Sequence, residues 1–460
     1  MKSVARRERW GYYAVLSSHM PALFMGGLVI PVLCEKLAFH HAFEQDNITP
    51  CIERPNYVCH VQFLGMLLST SSFMLVVTIL VSIVQAVILM PLSGFADLGD
   101  HRRQLLLLFT VVGGTSACLQ LVPLGNPLYS TAALAVVCAL STSAVSSYAL
   151  SLVPAYAKAH SKLHGEQAAV ELSSRGGAIS LVCSTLVTAA AYGISQAIHD
   201  EILGLKASLA LGGAWWLIVG GGSWRLLSVH QGNVPPPGFS KLVYSLASVM
   251  DTFKLGFKLS NIFLAQFAFL LISEGTNTSG LITILIARNE LNMQSRDLTV
   301  LTIASPLGCS LGIVAMLTLT SKYNLSVKHI MITMSLLTAV VISLNVIGRY
   351  TNLIGFHSKW EVITAFIASA IFYGPVLVSF RTLLAEISPK GRECQLFTFN
   401  TLLSTGTNWI GTLAVLYIIQ HSEIRLAGFL SLALVLLGVA ILSRIDLAAA
   451  RSQSEVYAVA

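Results

Sequence analysis

Charge is what this chain of 460 residues has least of: Asp, Glu, Lys and Arg together supply 11% of it, where an ordinary soluble domain has about a quarter. With 55% hydrophobic residues and a mean hydropathy of +0.74, too little polar surface remains to keep a globule of this size in water. Catalytic signatures are absent as well. There is no Walker loop, no HExxH pair and no nucleophile elbow, and no motif that would hold a cofactor. The chain therefore does not read as an enzyme, and any accumulation it drives must draw on an ion gradient or on the gradient of its own substrate. The isoelectric point near 9.0 would suit nucleic acid, but no arginine-aromatic or zinc pattern supports that partner. Basic membrane proteins owe such a charge to the cytoplasmic side of their topology.

What the sequence does have is a rhythm of apolar stretches. A bilayer core about 30 Å thick needs about twenty apolar residues per spanning helix, and runs of that kind cover residues 12–33, 72–92, 105–124, 129–153, 176–197, 207–226, 260–287, 299–319, 330–347, 362–384, 397–419 and 427–442. With the N-terminus in the cytosol, twenty of the 28 basic residues face the cytosol and eight face the other side, which satisfies the positive-inside rule and puts both termini in the cytosol. The opening run is too long for a signal-peptide core and ends in no small-x-small cleavage site, so it reads as a retained first helix, kinked or thinned by Pro21, Gly26, Gly27 and Pro31.

Pro235, Pro236 and Pro237 break the rhythm at the midpoint. Residues 243–259 then read as a short amphipathic helix on the cytosolic leaflet, carrying Lys254 and Lys258. A weak internal repeat joins the halves: Leu152-Val-Pro154 ends the fourth span and Ile387-Ser-Pro389 the tenth, each followed by a polar, glycine-bearing stretch. The expected architecture is an all-α membrane protein of twelve transmembrane helices in two pseudo-symmetric six-helix bundles, 1–227 and 260–446, with a linker at 228–259 and a cytosolic tail at 447–460.

Of eight cysteines, Cys118, Cys138, Cys183 and Cys309 lie in spans as small packing residues. Cys51 and Cys59 share the one long non-cytosolic loop, where an oxidising compartment would let them pair, with Cys34 as a competitor. Asn47-Ile-Thr49 in the same loop is a glycosylation sequon.

The polar groups inside spans are few enough to name. Glu274 is the one acidic residue deep in a span; insertion there costs about 2.5–3.5 kcal/mol, so it should face a cavity with a partner or a proton. Helical geometry puts Asn277 and Thr278 beside it, and Gln266 and Ser273 on much the same face. His19 on the first span can titrate near neutral pH. Tyr148 on the fourth span and Tyr373 on the tenth extend the polar set, while Arg381 is read as snorkelling to the cytosolic surface.

Between the second and third spans, Gly94-Phe-Ala-Asp97-Leu-Gly-Asp-His-Arg102-Arg103 resembles the cytoplasmic loop motif of the major facilitator superfamily, with two spacings one residue shorter. Its physical reading is a conformational latch. Gly94 allows a close helix approach, while Asp97 bonds Arg103 or a facing helix N-terminus in one state and lets go in the other, with Arg102 and Arg103 as its basic pair.

Trp10-Gly-Tyr-Tyr13, Ile30-Pro31, the Cys51/Cys59 loop into Phe63-Leu-Gly65, the Asp97 loop, Ser173-Ser-Arg-Gly176, Glu274-Gly-Thr-Asn-Thr278 and Pro389-Lys-Gly-Arg-Glu393 through Trp409-Ile-Gly411 together resemble the autophagy-related protein 22 family, a fungal branch of the major facilitator superfamily. The resemblance implies a vacuolar-membrane permease that releases leucine and other neutral amino acids after autophagic breakdown. It has two departures: His19 stands where relatives tend to have an acid, and Glu274 where aspartate is common. The expected cargo is a small zwitterion held by Tyr148, Asn277, Thr278 and Tyr373, with Glu274 meeting its ammonium or a proton and His19 as a second proton site. A sugar or organic-anion symporter of the same fold, which in the anion case would want an arginine at midplane, or a non-transporting scaffold or scramblase, are the alternatives.

Overall fold

The computed structural model describes residues 2–43, 51, 59–160, 165–227, 240–258, 260–293, 295–323 and 325–459. The sequon at Asn47 and the triple proline lie outside the described residues. In chain order the elements are α1 Lys2–His40, β1 His60–Phe63, β2 Met66–Ser69, α2 Thr70–Ala96, α3 His101–Leu119, α4 Pro127–Leu150, α5 Val153–His160, α6 Gly165–Ala197 and α7 Glu201–Ser223. After the midpoint come α8 Lys241–Lys258, α9 Ser260–Asn289, α10 Ser295–Tyr323, α11 Val327–Ile347, α12 Lys359–Ile387, α13 Glu393–Gly406, α14 Asn408–His421, a 3-10 turn Ile424–Leu426, α15 Ala427–Arg444 and α16 Leu447–Val459.

Among the described residues, eleven stretches are long and apolar enough to cross a membrane, α13 and α14 counting as one. The twelfth expected span is α3, whose polar opening His101-Arg102-Arg103-Gln104 lowers its hydropathy, yet it lies between α4 and α7 as a member of the bundle. Helices dominate because lipid offers backbone groups no alternative partner. Among the described residues the departure from helix is the β1–β2 hairpin, pairing His60 with Ser69 and Phe63 with Met66 and bridged from His60 to Phe43, at the end of the molecule away from the N-terminus. Cys51 and Cys59 beside it are joined as a disulfide with Cα atoms 6.0 Å apart, and Cys34 is free.

The first span is one helix of 39 residues that runs through Pro21 and Pro31. One expectation is corrected: the eleventh span is broken into two helices at Gly406 and Thr407, because the polar run Ser404-Thr-Gly-Thr407 falls inside it. The tail carries α16, tied back by an Arg451–Glu386 ion pair of 2.6 Å. The linker helix α8 does more than lie on a leaflet. Ser245 packs against Gly94, where a Cβ would sit 2.7 Å from its Oγ, and donates to the Pro91 carbonyl at 2.6 Å. Its opposite face exposes Val243, Leu246 and Met250 at one-turn spacing.

Packing is unequal along the membrane normal. At the N-terminal end one apolar core is shared by both bundles, running from Tyr12, Leu16, Tyr148 and Trp216 to Phe269, Phe380 and Phe397. At the hairpin end the bundles keep separate cores, one around Met25, Leu33 and Leu128 and another around Ile282, Ile286 and Val362. The most extensive contacts between the halves are α2 with α13 and α6 with α10, with α4 on α13 and α6 on α12 beside them. Counted as spans the first two are the second with the eleventh and the fifth with the eighth, which a twofold relating the two sets of six would exchange. Within the second bundle, α10 and α12 approach so closely that a Cβ on Gly312 would overlap the Ile371 carbonyl oxygen and lie 3.0 Å from Pro375. Gly312→Ala should therefore destabilise by about 1–3 kcal/mol through overpacking, read as a lower apparent melting temperature in detergent. Gly221→Ala, with nothing within 4 Å of the new methyl, should leave it unchanged or slightly raised.

Candidate functional site

Two carboxylates sit between elements of the interior, and each is bonded to the start of a helix. Asp97 follows the last turn of α2 and is 2% exposed. Its Oδ1 accepts from Arg102 at 2.8 Å and from the backbone amide of Cys394 at 3.1 Å, and its Oδ2 accepts from the amide of Gln395 at 3.2 Å. Cys394 and Gln395 open α13, so an aspartate of the first bundle caps a helix of the second, where the unsatisfied amides and the helix dipole favour an anion. Glu393 stands 3.7 Å from the same guanidinium. Burial pushes the Asp97 carboxyl up to about 7, while Arg102 and the two amides pull the other way. Arg103 is not part of this contact. It stacks on the Trp224 ring at 4.3 Å and donates to the Trp224 carbonyl at 3.2 Å, because successive residues on a helix point some 100° apart. Two side-chain bonds between α4 and α13 add to the closure, Ser147 to Thr401 at 2.8 Å and Ser151 with Cys394 at 3.0 Å.

The second carboxylate, Glu274 on α9, meets the break in the eleventh span. Its Oε1 accepts from the Gly411 amide at 3.1 Å and its Oε2 from the Thr407 hydroxyl at 3.4 Å. Thr407 is the residue before α14 and Gly411 lies in its first turn. A Cβ on Gly411 would collide with Glu274 Oε1 and Thr278 Oγ1, so only glycine lets the carboxylate reach that amide. The break was legible only as a polar tetrapeptide; the partners of Glu274 were not, since they lie 133 and 137 residues away.

Around this point the structure brings together part of the sequence-derived set. Thr278 is buried beside Glu274, Asn277 projects to an exposed position, and Tyr373 on α12 donates to Ser273 on α9 at 3.1 Å. Tyr148 is not with them. It is fully buried in the shared core at the closed end, its ring 6.2 Å from Phe109, because the face that α4 turns inward is there packed shut. His19 is fully buried too, with Nδ1 against the Val15 carbonyl at 3.0 Å and its ring 6.3 Å from Trp216. Arg381 departs furthest from its sequence reading. It does not snorkel outward but lies between the bundles within electrostatic reach of Tyr12, His19 and Tyr373. Among the described residues, no group of His, Cys, Asp and Glu is arranged to hold a metal ion.

The sequence profile of the family described as "Vacuole effluxer Atg22 like" matches residues 4–455. Autophagy-related protein 22-2 of Emericella nidulans is 22% identical over 526 aligned positions, covering 94% of this chain and 88% of the relative. Autophagy-related protein 22 of Vanderwaltozyma polyspora is 24% identical over 95% of this chain and 90% of its own length. Among solved structures, the human organic anion transporter MFSD10 superposes with a TM-score of 0.65 at 14% identity, covering 95% of this chain and 99% of that one. The major facilitator proton:xylose symporter XylE does so with a TM-score of 0.61 at 13% identity, covering 96% and 95%. At those identities the structures establish the fold, and the fold is that of major facilitator transporters. The family profile spans nearly the whole chain, and this protein belongs to the Atg22 family of multi-pass membrane transporters.

Proposed function

We propose that the protein exports neutral amino acids, leucine among them, from the vacuole to the cytosol by alternating access. The family's description as a vacuole effluxer supports the compartment and the direction. The basic residues gathered on one side support cytosolic termini, so the end closed by Asp97 faces the cytosol and this conformation is the one shut against release. The observation that carries the reading is Glu274: a carboxylate deep in a span, bonded to the first turn of a broken helix of the same bundle.

The geometry supports a coupling device. Ionised, Glu274 holds α14 through the Gly411 amide and the Thr407 hydroxyl. A substrate ammonium, or a proton from an acidic lumen, competes for the same oxygens, and once they are taken α14 is free to shift against α9. Asn277, Thr278 and Tyr373 then supply hydrogen bonds to the cargo, and Tyr148 belongs to the closed end as a gate residue, while full burial beside the Arg381 cation disfavours His19 as a second proton site. Opening that end requires Asp97 to leave the amides of α13, which is the latch reading of the Gly94–Arg103 loop.

Vacuoles loaded with labelled leucine test this. Glu274→Ala should lower efflux at least tenfold at equal protein in the membrane, Glu274→Gln should show how much of that loss belongs to the charge, and Gly411→Ala should lose activity to a similar degree. Unchanged efflux in Glu274→Ala removes this carboxylate from the mechanism. The latch is tested at Cys394, fully buried beneath it. Breaking a buried, hydrogen-bonded ion pair costs about 3–5 kcal/mol, and every 1.4 kcal/mol is tenfold. With Cys394 as the sole remaining free cysteine, Asp97→Ala should react with maleimide on the order of a hundredfold faster than the Asp97 parent. Equal rates would mean that Asp97 does not hold the closed state.

A further inference from the structure

Arg381 is a cation that the interior does not satisfy. It lies about 9 Å inside the end of α12, six residues from Ile387, and the groups that sense its charge are Tyr12 and His19 of the first bundle and Tyr373 of its own helix. No carboxylate pairs with it among the described residues, although every other buried or half-buried arginine described above has one or stacks on an aromatic ring. Its own surface is half-buried, so the guanidinium is not sealed by packed side chains.

The surrounding polar groups lack partners in the same way. The Tyr12 hydroxyl, the His19 Nε2 and both amide atoms of Gln266 are enclosed by protein with no hydrogen bond, on residues that are 0% exposed. Ser174 is the same. The packing puts it level with Arg381: a Cβ on Gly177 of α6 would touch Val378 of α12 at 3.1 Å, the fifth and tenth spans run antiparallel, and three residues further along each helix are Ser174 and Arg381. Phe269 stacks on Phe380 at 4.0 Å, which sets Gln266, one turn earlier on α9, near the same level. Unpartnered polar groups from three helices thus lie around one unpaired guanidinium on a fourth, in an interior where an unmet polar group is unfavourable. A guanidinium presents a planar fork of N–H groups that matches a carboxylate in two parallel bonds.

We propose that Arg381, with Tyr12, Ser174 and Gln266 around it, is an anion subsite on the transport path and takes the α-carboxylate of the cargo. The identity of the cargo rests on the amino-acid reading above; the anion subsite does not. Glu274 lies nearer the level of Tyr373, two turns of α12 away from Arg381, so the two charges serve the two ends of the path and do not clamp one amino acid together.

Purified protein in nanodiscs separates these statements. Binding is measured for L-leucine, for leucinamide, which keeps the amine and loses the carboxylate, and for 4-methylpentanoate, which does the reverse. The expected result is that Arg381→Gln weakens L-leucine and 4-methylpentanoate at least tenfold, Arg381→Lys restores part of it, and leucinamide does not distinguish the variants. Removing an unpaired cation should leave the melting temperature of the empty protein unchanged or higher. If 4-methylpentanoate binds wild type in an Arg381-dependent way while L-leucine does not bind, the subsite stands and the amino-acid reading falls. Equal L-leucine affinity in wild type and Arg381→Gln overturns the subsite and leaves amino-acid transport intact. A wild type that binds neither carboxylate overturns it as well, and so does a marked fall in the melting temperature of empty Arg381→Gln, which would make the arginine a structural tether.

Discussion

A carboxylate on one bundle satisfied by the other is the contact on which this conformation depends. Asp97 accepts two backbone amides from the start of α13 and a guanidinium from its own loop, and none of these can be replaced by lipid. Hydrogen bonds to a charged group contribute about 1.5–3 kcal/mol each, so a single residue here outweighs much of the apolar packing around it. The arrangement is one-sided. The twofold that exchanges the α2–α13 and α6–α10 contacts would put a second aspartate after α10, and the chain there reads Asn324-Leu325-Ser326. The opposite junction is held by apolar contact, among Leu181, Cys309, Ile313 and Val378, and by one hydrogen bond from Ser310 to the Ala178 carbonyl at 3.3 Å. Closure is therefore polar at one seam and largely apolar at the other.

Glu274 repeats the same chemistry at lower strength. It too caps a helix start, but with one amide and one hydroxyl and without a cation in the contact. The two acids are thus graded: Asp97 is held by an ion pair and two amides, Glu274 by one amide and one hydroxyl. That grading suits a transporter, since the site that must respond to cargo has to be the weaker of the two.

The fold was legible because membrane insertion leaves little choice. Apolar runs of about twenty residues specify spans with no tertiary information, and α3 shows the limit, its charged opening hiding a span that packing supports. The Asp97 loop stood out because a basic loop obeying the positive-inside rule accounts for its arginines but not for Gly94 and Asp97. Its arginine was harder to choose, as Arg102 and Arg103 differ only by their angle around α3. What sequence could not give was depth and facing. Periodicity puts Tyr148 on an inward face, but whether that face lines a cavity or a closed core depends on the other bundle. The position of Arg381 near a helix end suggests snorkelling, and only the antiparallel register with α6 turns it inward. The sequence does carry one signal for it: an arginine between Phe380 and Thr382, with no acid within a helical turn, has no local partner to explain it.

The separate cores at the hairpin end constrain what the other conformation must be. Opening the Asp97 end gives up the shared core that links Leu16 and Tyr148 to Phe380 and Phe397, and hydrophobic area lost from that contact has to be recovered elsewhere for the two states to lie within a few kcal/mol of each other. The cores around Leu33 and around Ile286 are the apolar surfaces positioned to meet. Their helices α1 and α9 also carry Gly26, Gly27 and Gly280, where an added Cβ would meet nothing closer than 4.0 Å. Glycines with empty space around them in one state are what close approach requires in the other. The rocking motion then exchanges one apolar contact for another of similar area, and the free energy that decides between them comes from the few polar groups, Asp97, Glu274 and Arg381, whose partners change.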